Sequence, residues 1–151
     1  MKRRAYTLIA VIVLVGSLAV AAAGQTSSRT RWVANIPFQF NIGNQIMPAG
    51  EYQLLSISYE STNAVVKIKS ADGKSEAMLQ MRTVEGKVDD RARLVFHCYG
   101  NHLFFAQAWT GDGNSGLAIT KSRAERAAER ELGATKAKAE TVALRNRQRK
   151  S

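Results

Sequence analysis

The reactive side chains of this sequence are gathered in one short stretch. His97 and Cys98 are neighbours, and His102 follows beyond Tyr99-Gly100-Asn101. An imidazole beside a thiol is the material of a nucleophilic dyad. In an extended strand, successive side chains leave on opposite faces, so His97 and Cys98 cannot meet there. Cys98 shares its face with Leu94 and Phe96, and a packed structural thiol is the expected role. A two-residue turn at Gly100-Asn101 pairs Tyr99 with His102 and His97 with Phe104, which puts all four on one face. The two imidazoles then lie on a diagonal, about 7–8 Å apart at the backbone. Such a pair admits a metal or an anion, but no carboxylate accompanies it, and a metal site asks for three or four ligands. His97, Tyr99, His102 and Phe104 are therefore candidate ligand contacts, with cross-strand aromatic packing as the alternative. Neither a metal nor a cofactor is expected.

Other chemistry is sparse. Asp89 and Asp90 adjoin in a charged stretch, without the apolar surroundings that would raise a carboxylate for acid–base work. The run Gly111 to Gly116 lacks the Lys and Ser/Thr of a phosphate-binding loop and reads as a flexible connection. The single Cys excludes a disulfide framework and any cysteine-built zinc or iron–sulfur centre. No nucleophile, base and orienting group come together, so no enzymatic activity is expected.

The first residues address the compartment. Lys2, Arg3 and Arg4 precede an uncharged run from Leu8 to Ala23 that ends in three alanines. This is the layout of a signal peptide cleaved after Ala23, and it predicts a periplasmic or secreted protein with no membrane span after cleavage. A polar linker over 24–30 follows. The charge divides unevenly. Gly24 to Thr120 holds nine basic and eight acidic residues, whereas the stretch from Lys121 onward holds ten basic and four acidic. The basicity of the mature chain thus belongs to its C-terminal part.

Residues 31–120 alternate apolar and polar positions in short runs separated by turn residues, the pattern of an antiparallel all-β domain. Trp32 to Phe40, Glu51 to Tyr59, Ala64 to Ser70, Ser75 to Val84, Arg93 to Tyr99 and His102 to Thr110 are the expected strands. Pro37 argues for an edge or a bulge in the first. Asp72-Gly73 has the composition of a tight two-residue hairpin turn. A small β-sandwich or partly open barrel of about six to eight strands follows. Ser122 with Glu125 forms a capping box, which starts a helix over 121–133 with a thin stripe of Ala124, Ala127, Ala128 and Leu132 and a stop at Gly133. Residues 134–151 are rich in Ala, Lys and Arg and are expected to be a flexible basic tail. Arg145, Arg147, Arg149 and Lys150 are its candidate contacts to an anionic surface, with simple solubility as the alternative use.

Four segments in this order resemble a group of small exported bacterial proteins with no established activity. They are Ala34-Asn35-Ile36-Pro37-Phe38, Pro48-Ala49-Gly50-Glu51-Tyr52, Leu94-Val95-Phe96-His97-Cys98-Tyr99-Gly100 and Ser122-Arg123-Ala124-Glu125. The resemblance implies export and a compact β domain with a trailing helix, and carries no catalytic residue with it. Two functional classes are expected from the sequence. The first is a non-catalytic binding or interaction module of the cell envelope, whose partner is a protein or an anionic envelope component rather than nucleic acid. The second is a carrier holding a small apolar ligand among Phe96, Leu103, Phe105 and Trp109.

Overall fold

The computed structural model describes residues 31–59, 62–88, 90–132 and 138–146. The expected signal peptide over 1–23, the linker over 24–30, Asp89, Gly133 and the tail cations Arg147, Arg149 and Lys150 lie outside the described residues. Where the chain is described it is mostly strand: β1 (Arg31–Ile36), β2 (Phe40–Ile42), β3 (Gln45–Met47), β4 (Gly50–Tyr59), β5 (Asn63–Ser70), β6 (Glu76–Glu85), β7 (Arg93–Tyr99), β8 (His102–Trp109) and β9 (Ser115–Ala118). One helix, α1 (Arg123–Glu131), precedes β10 (Lys138–Ala143) and β11 (Arg145–Asn146). The all-β class with a C-terminal helix is therefore as expected. The eleven strands among the described residues exceed the expected six to eight, and a parallel pairing of β2 with β8 at Asn41 and Phe104 makes the sheet mixed.

The extra strands have local causes. Pro37 has no N–H to give to a ladder, so the first run breaks, with β1 ending at Ile36 and β2 resuming at Phe40. Gly43, at φ 61°, then turns β2 into β3. Part of the glycine-rich stretch expected as a loose connection is strand, because β9 begins at Ser115 and pairs with both β6 and β8. The turn at Asp72-Gly73 also departs from the two-residue form. Only Gly73 has positive φ there. Asp72 accepts hydrogen bonds from the Ser70 hydroxyl (2.6 Å) and the Lys74 N–H (3.0 Å), closing a five-residue loop. Those bonds hold the Asp72 carboxyl below its ordinary value.

The sheet runs β10-β7-β8-β9-β6-β5-β4-β1-β11, and β4 lies inside it as its two partly apolar faces predict. Both ends of this order belong to one stretch of chain. β10 pairs with β7 from Lys138 opposite Cys98 to Ala143 opposite Arg93. The N–H of Leu144 then donates to the Ala92 carbonyl at 2.9 Å, and β11 pairs with β1, Val33 opposite Arg145. Residues 138–146 are thus ordered strand, where composition predicted a flexible tail. The expectation weighed side chains, and the stabilisation comes largely from the backbone. Two open sheet edges supply hydrogen-bonding partners to almost any extended segment, and only Val142 and Leu144 need reach the core.

The core lies on the inner face. Ala34, Ile36, Tyr52, Leu54, Ala64, Val66, Ile68, Leu79, Met81, Leu94 and Phe96 project there from successive strands. Phe96 sits at its centre, edge to face with Phe38 (5.1 Å), Phe40 (5.3 Å) and Phe105 (5.7 Å), while Phe40 also meets Tyr52 at 5.3 Å. Offset and edge-on ring pairs of this kind add about 0.5–1.5 kcal/mol each beyond the area they bury. Leu144 is 8% exposed within this core, whereas Leu132 at the end of α1 is 46% exposed. Leu144→Ala should therefore lower the unfolding free energy by about 2 kcal/mol or more, and Leu132→Ala by less than about 0.5 kcal/mol. Urea denaturation of the two variants checks this, and a neutral Leu144→Ala would show that the Leu144 side chain is not packed in the core.

Candidate functional site

The site is built on β8, where one extra residue changes which way side chains point. Phe96 of β7 pairs with Phe105, but the preceding Val95 pairs with Gln107, so Ala106 is a bulge. Beyond a bulge the alternation changes phase. Phe105 faces the core, whereas Gln107 and Trp109 lie on the outer face, opposite Val95 and Arg93. Trp109 is consequently no part of an apolar interior with Phe96, Leu103 and Phe105, as simple alternation from Phe105 would place it. Its indole lies on the backbone of Gly86 and Gly116, where an added Cβ would come within 2.4 Å and 2.6 Å of the ring. The Arg93 guanidinium stacks 5.3 Å from the ring centroid on the same side chain.

The outer face of the β7–β8 hairpin carries the four residues singled out by spacing. The register is the expected one, with Tyr99 opposite His102 and His97 opposite Phe104. Their environments differ sharply. Tyr99 and Phe104 are buried, 5.9 Å apart edge to face, so they form packing surface. His102 is exposed at the turn. His97 has taken a partner from elsewhere in the chain: its Nδ1 lies 2.7 Å from Glu125 Oε1. With Nδ1 engaged by Glu125, Nε2 is the ring nitrogen left for other contacts.

Glu125 is the carboxylate that the sequence did not place beside the histidines. It is 3% exposed. Its backbone N–H donates to Ser122 Oγ at 3.1 Å, which is the expected helix cap. Its side chain does not return to the Ser122 N–H as in a full capping box. It turns inward instead, to His97 and to the Tyr99 hydroxyl, which donates at 3.4 Å. The residue that pins the helix is therefore Glu125, and the expected stripe of Ala124, Ala127, Ala128 and Leu132 is only partly covered. Lys121 completes the group. Its Nζ is 2.7 Å from Glu129 Oε1 and 5.9 Å from the Tyr99 ring centroid. Glu129 holds the Lys121 ammonium above its ordinary value, and burial pushes the Tyr99 hydroxyl up.

An open cleft of about 410 Å³ lies beside this group, with Ala106 and Ala118 among its lining residues and with Arg82, His97, Gln107, Thr120, Lys121 and Arg126 supplying its polar groups. Trp109 Nε1 donates to Gln107 Oε1 at 3.0 Å, which leaves the two amide hydrogens of Gln107 for the cleft. Cys98, expected to be a packed thiol, is only half-buried, with Sγ 3.5 Å from the Gly100 carbonyl oxygen. No group of three or more His, Cys, Asp and Glu is placed to hold a metal among the described residues. Arg145, the one of the four candidate surface contacts in the tail that is described, is exposed in β11. No helix among the described residues is long and apolar enough to cross a membrane. Protein-family models, curated proteins and solved structures returned no match to this chain.

Two outcomes follow from the buried carboxylate and its neighbours. His97→Ala strips Glu125 of its shortest hydrogen bond and should lower the unfolding free energy by about 2 kcal/mol. Part of that loss should return in the His97→Ala/Glu125→Gln double variant, read by urea denaturation as a double-mutant cycle. Because the folded-state value of Lys121 lies above its ordinary 10.5, the contribution of its pair with Glu129 is complete below that value and is lost only as pH rises through the raised one. The difference in stability between wild type and Lys121→Met should accordingly stay constant across neutral pH and shrink only in strong alkali.

Proposed function

We propose that this chain is an exported, non-catalytic binding or interaction module of the cell envelope. The observation that carries the reading is how the two faces of the sheet are used. The inner face is occupied by the edge-to-face cluster of Phe38, Phe40, Tyr52, Phe96 and Phe105, which supports recognition from the outside rather than by enclosure. The outer face carries an open cleft with polar and cationic walls. We read the curled sheet as a partly open barrel, since residues 138–146 reach both of its edges. The positively headed apolar run before Ala23 and the resemblance to small exported bacterial proteins support export.

The alternative, a carrier of a small apolar ligand, needs room among Phe96, Leu103 and Phe105. The ring contacts of Phe96 and Phe105 occupy that space, and Trp109 faces away from it. An anionic envelope component suits the cleft cations together with Arg145 and the remaining basic residues of the C-terminal part.

Attachment through such charges weakens as salt screens them. Mature Gly24–Ser151, recovered with the envelope fraction of its host, should be released by raised salt. By native mass spectrometry it should then show the mass of the bare chain. A lipid or other apolar molecule retained until unfolding would replace this reading with the carrier, and recovery in the cytoplasm with residues 1–23 still attached would overturn export.

A further inference from the structure

We propose that the cleft between α1 and the outer face of β6, β8 and β9 binds a single oxyanion group, a phosphate or a carboxylate, displayed on an envelope polymer. This inference deepens the reading of the chain as an envelope-binding module and rests on it.

Three permanent cations border the cleft, each from a different part of the chain: Arg82 from β6, Lys121 from the segment between β9 and α1, and Arg126 from α1. No acidic residue lines it among the described residues. The two nearby carboxylates are directed elsewhere, Glu125 to His97 and Tyr99 and Glu129 to Lys121. The guanidinium groups of Arg82 and Arg126 have no acidic partner among the described residues. Arg82 comes from the stretch Gly24 to Thr120, whose charge is nearly balanced, while Lys121 and Arg126 belong to the basic C-terminal part.

Neutral donors favour the same ligand. Gln107 Oε1 is held by Trp109 Nε1, and Trp109 is itself fixed against Gly86, Gly116 and Arg93. The Gln107 amide is therefore oriented with its N–H groups free, which favours an acceptor over a donor in the cleft. The planar forks of two arginines match the paired oxygens of a carboxylate or phosphate. The Ala106 bulge and Ala118 keep the lining small, and about 410 Å³ accommodates one sugar-sized group. Lys121 contributes less than a free ammonium would, since Glu129 already engages it.

The test is a ¹⁵N-detected NMR titration of the mature chain with inorganic phosphate and, separately, with galacturonate. The site predicts saturable shifts confined to the Gln107 side-chain amide and the backbone around Arg82, Ala118 and Arg126, for one or both anions. The anion that gives the tighter response identifies whether the source is a phosphate or a uronate polymer. Arg82→Ala and Arg126→Ala remove exposed side chains, so each should leave the fold intact and weaken the response roughly tenfold. Arg145→Ala, at a residue that does not line the cleft, should leave it unchanged.

Shifts spread over all basic residues, or equal losses in Arg82→Ala and Arg145→Ala, would overturn the site in favour of general charge attraction. No localised shift with either anion would overturn it outright. If salt-releasable envelope attachment persists in that case, the module reading stands without this cleft; if attachment is also absent, both fall.

Discussion

A carboxylate has been drawn almost entirely out of water, and the arrangement of the outer face follows from where it went. Glu125 could have stayed solvated on a surface helix. Buried at 3% exposure, it must be matched by hydrogen-bond partners, and His97 Nδ1 and the Tyr99 hydroxyl supply them. The match fixes the distance and rotation of α1 over the β7–β8 hairpin. It also fixes the side of the helix that carries Arg126, and with it one wall of the cleft. A helix whose covered side chains are mainly alanine could not choose its register by apolar packing alone, because alanine buries little area. A hydrogen-bonded acid specifies one position where apolar contact would accept several.

The second determinant is a single unpaired residue. Without the bulge at Ala106, strand alternation would have sent Trp109 to the core side with Phe105 and put Ala108 outside. With it, Phe105 joins the aromatic core while Gln107 and Trp109 share the outer face. The same strand therefore presents Phe105 to the interior and Gln107, held by Trp109, to the cleft. The glycines opposite Trp109 complete the arrangement, since any side chain at Gly116 would meet the ring.

Much of this architecture was legible in the sequence, for reasons that can be stated element by element. The run from Arg93 to Tyr99, its turn and its return strand were legible because apolar alternation and turn chemistry agree over a short span. So was the helix start at Ser122, because capping is a local interaction between residues three apart. What local pattern could not show was a contact between residues 28 apart in sequence, His97 and Glu125, even though both were already notable singly. The bulge was hidden because Phe104-Phe105-Ala106 is apolar throughout and gives alternation no phase to break. The ordering of 138–146 was hidden for a different reason. A strand recruited by two waiting edges needs little from its own side chains, so its composition says little about its conformation.

That double pairing also bears on how the chain acquires its shape during synthesis. A polypeptide appears N-terminus first, and β1 is among the earliest described strands to emerge. Its outer ladder nevertheless waits for Arg145 and Asn146, and the outer ladder of β7 waits for 138–143. The contact that joins Val33 to Arg145 spans nearly the whole described sequence, which is the kind of closure that slows folding most. Until those residues arrive, both flanks of the sheet are open and the inner aromatic cluster lacks Val142 and Leu144. The topology therefore sets a natural delay: the outer ladders of β1 and β7 stay unmade until residues 138–146 are available.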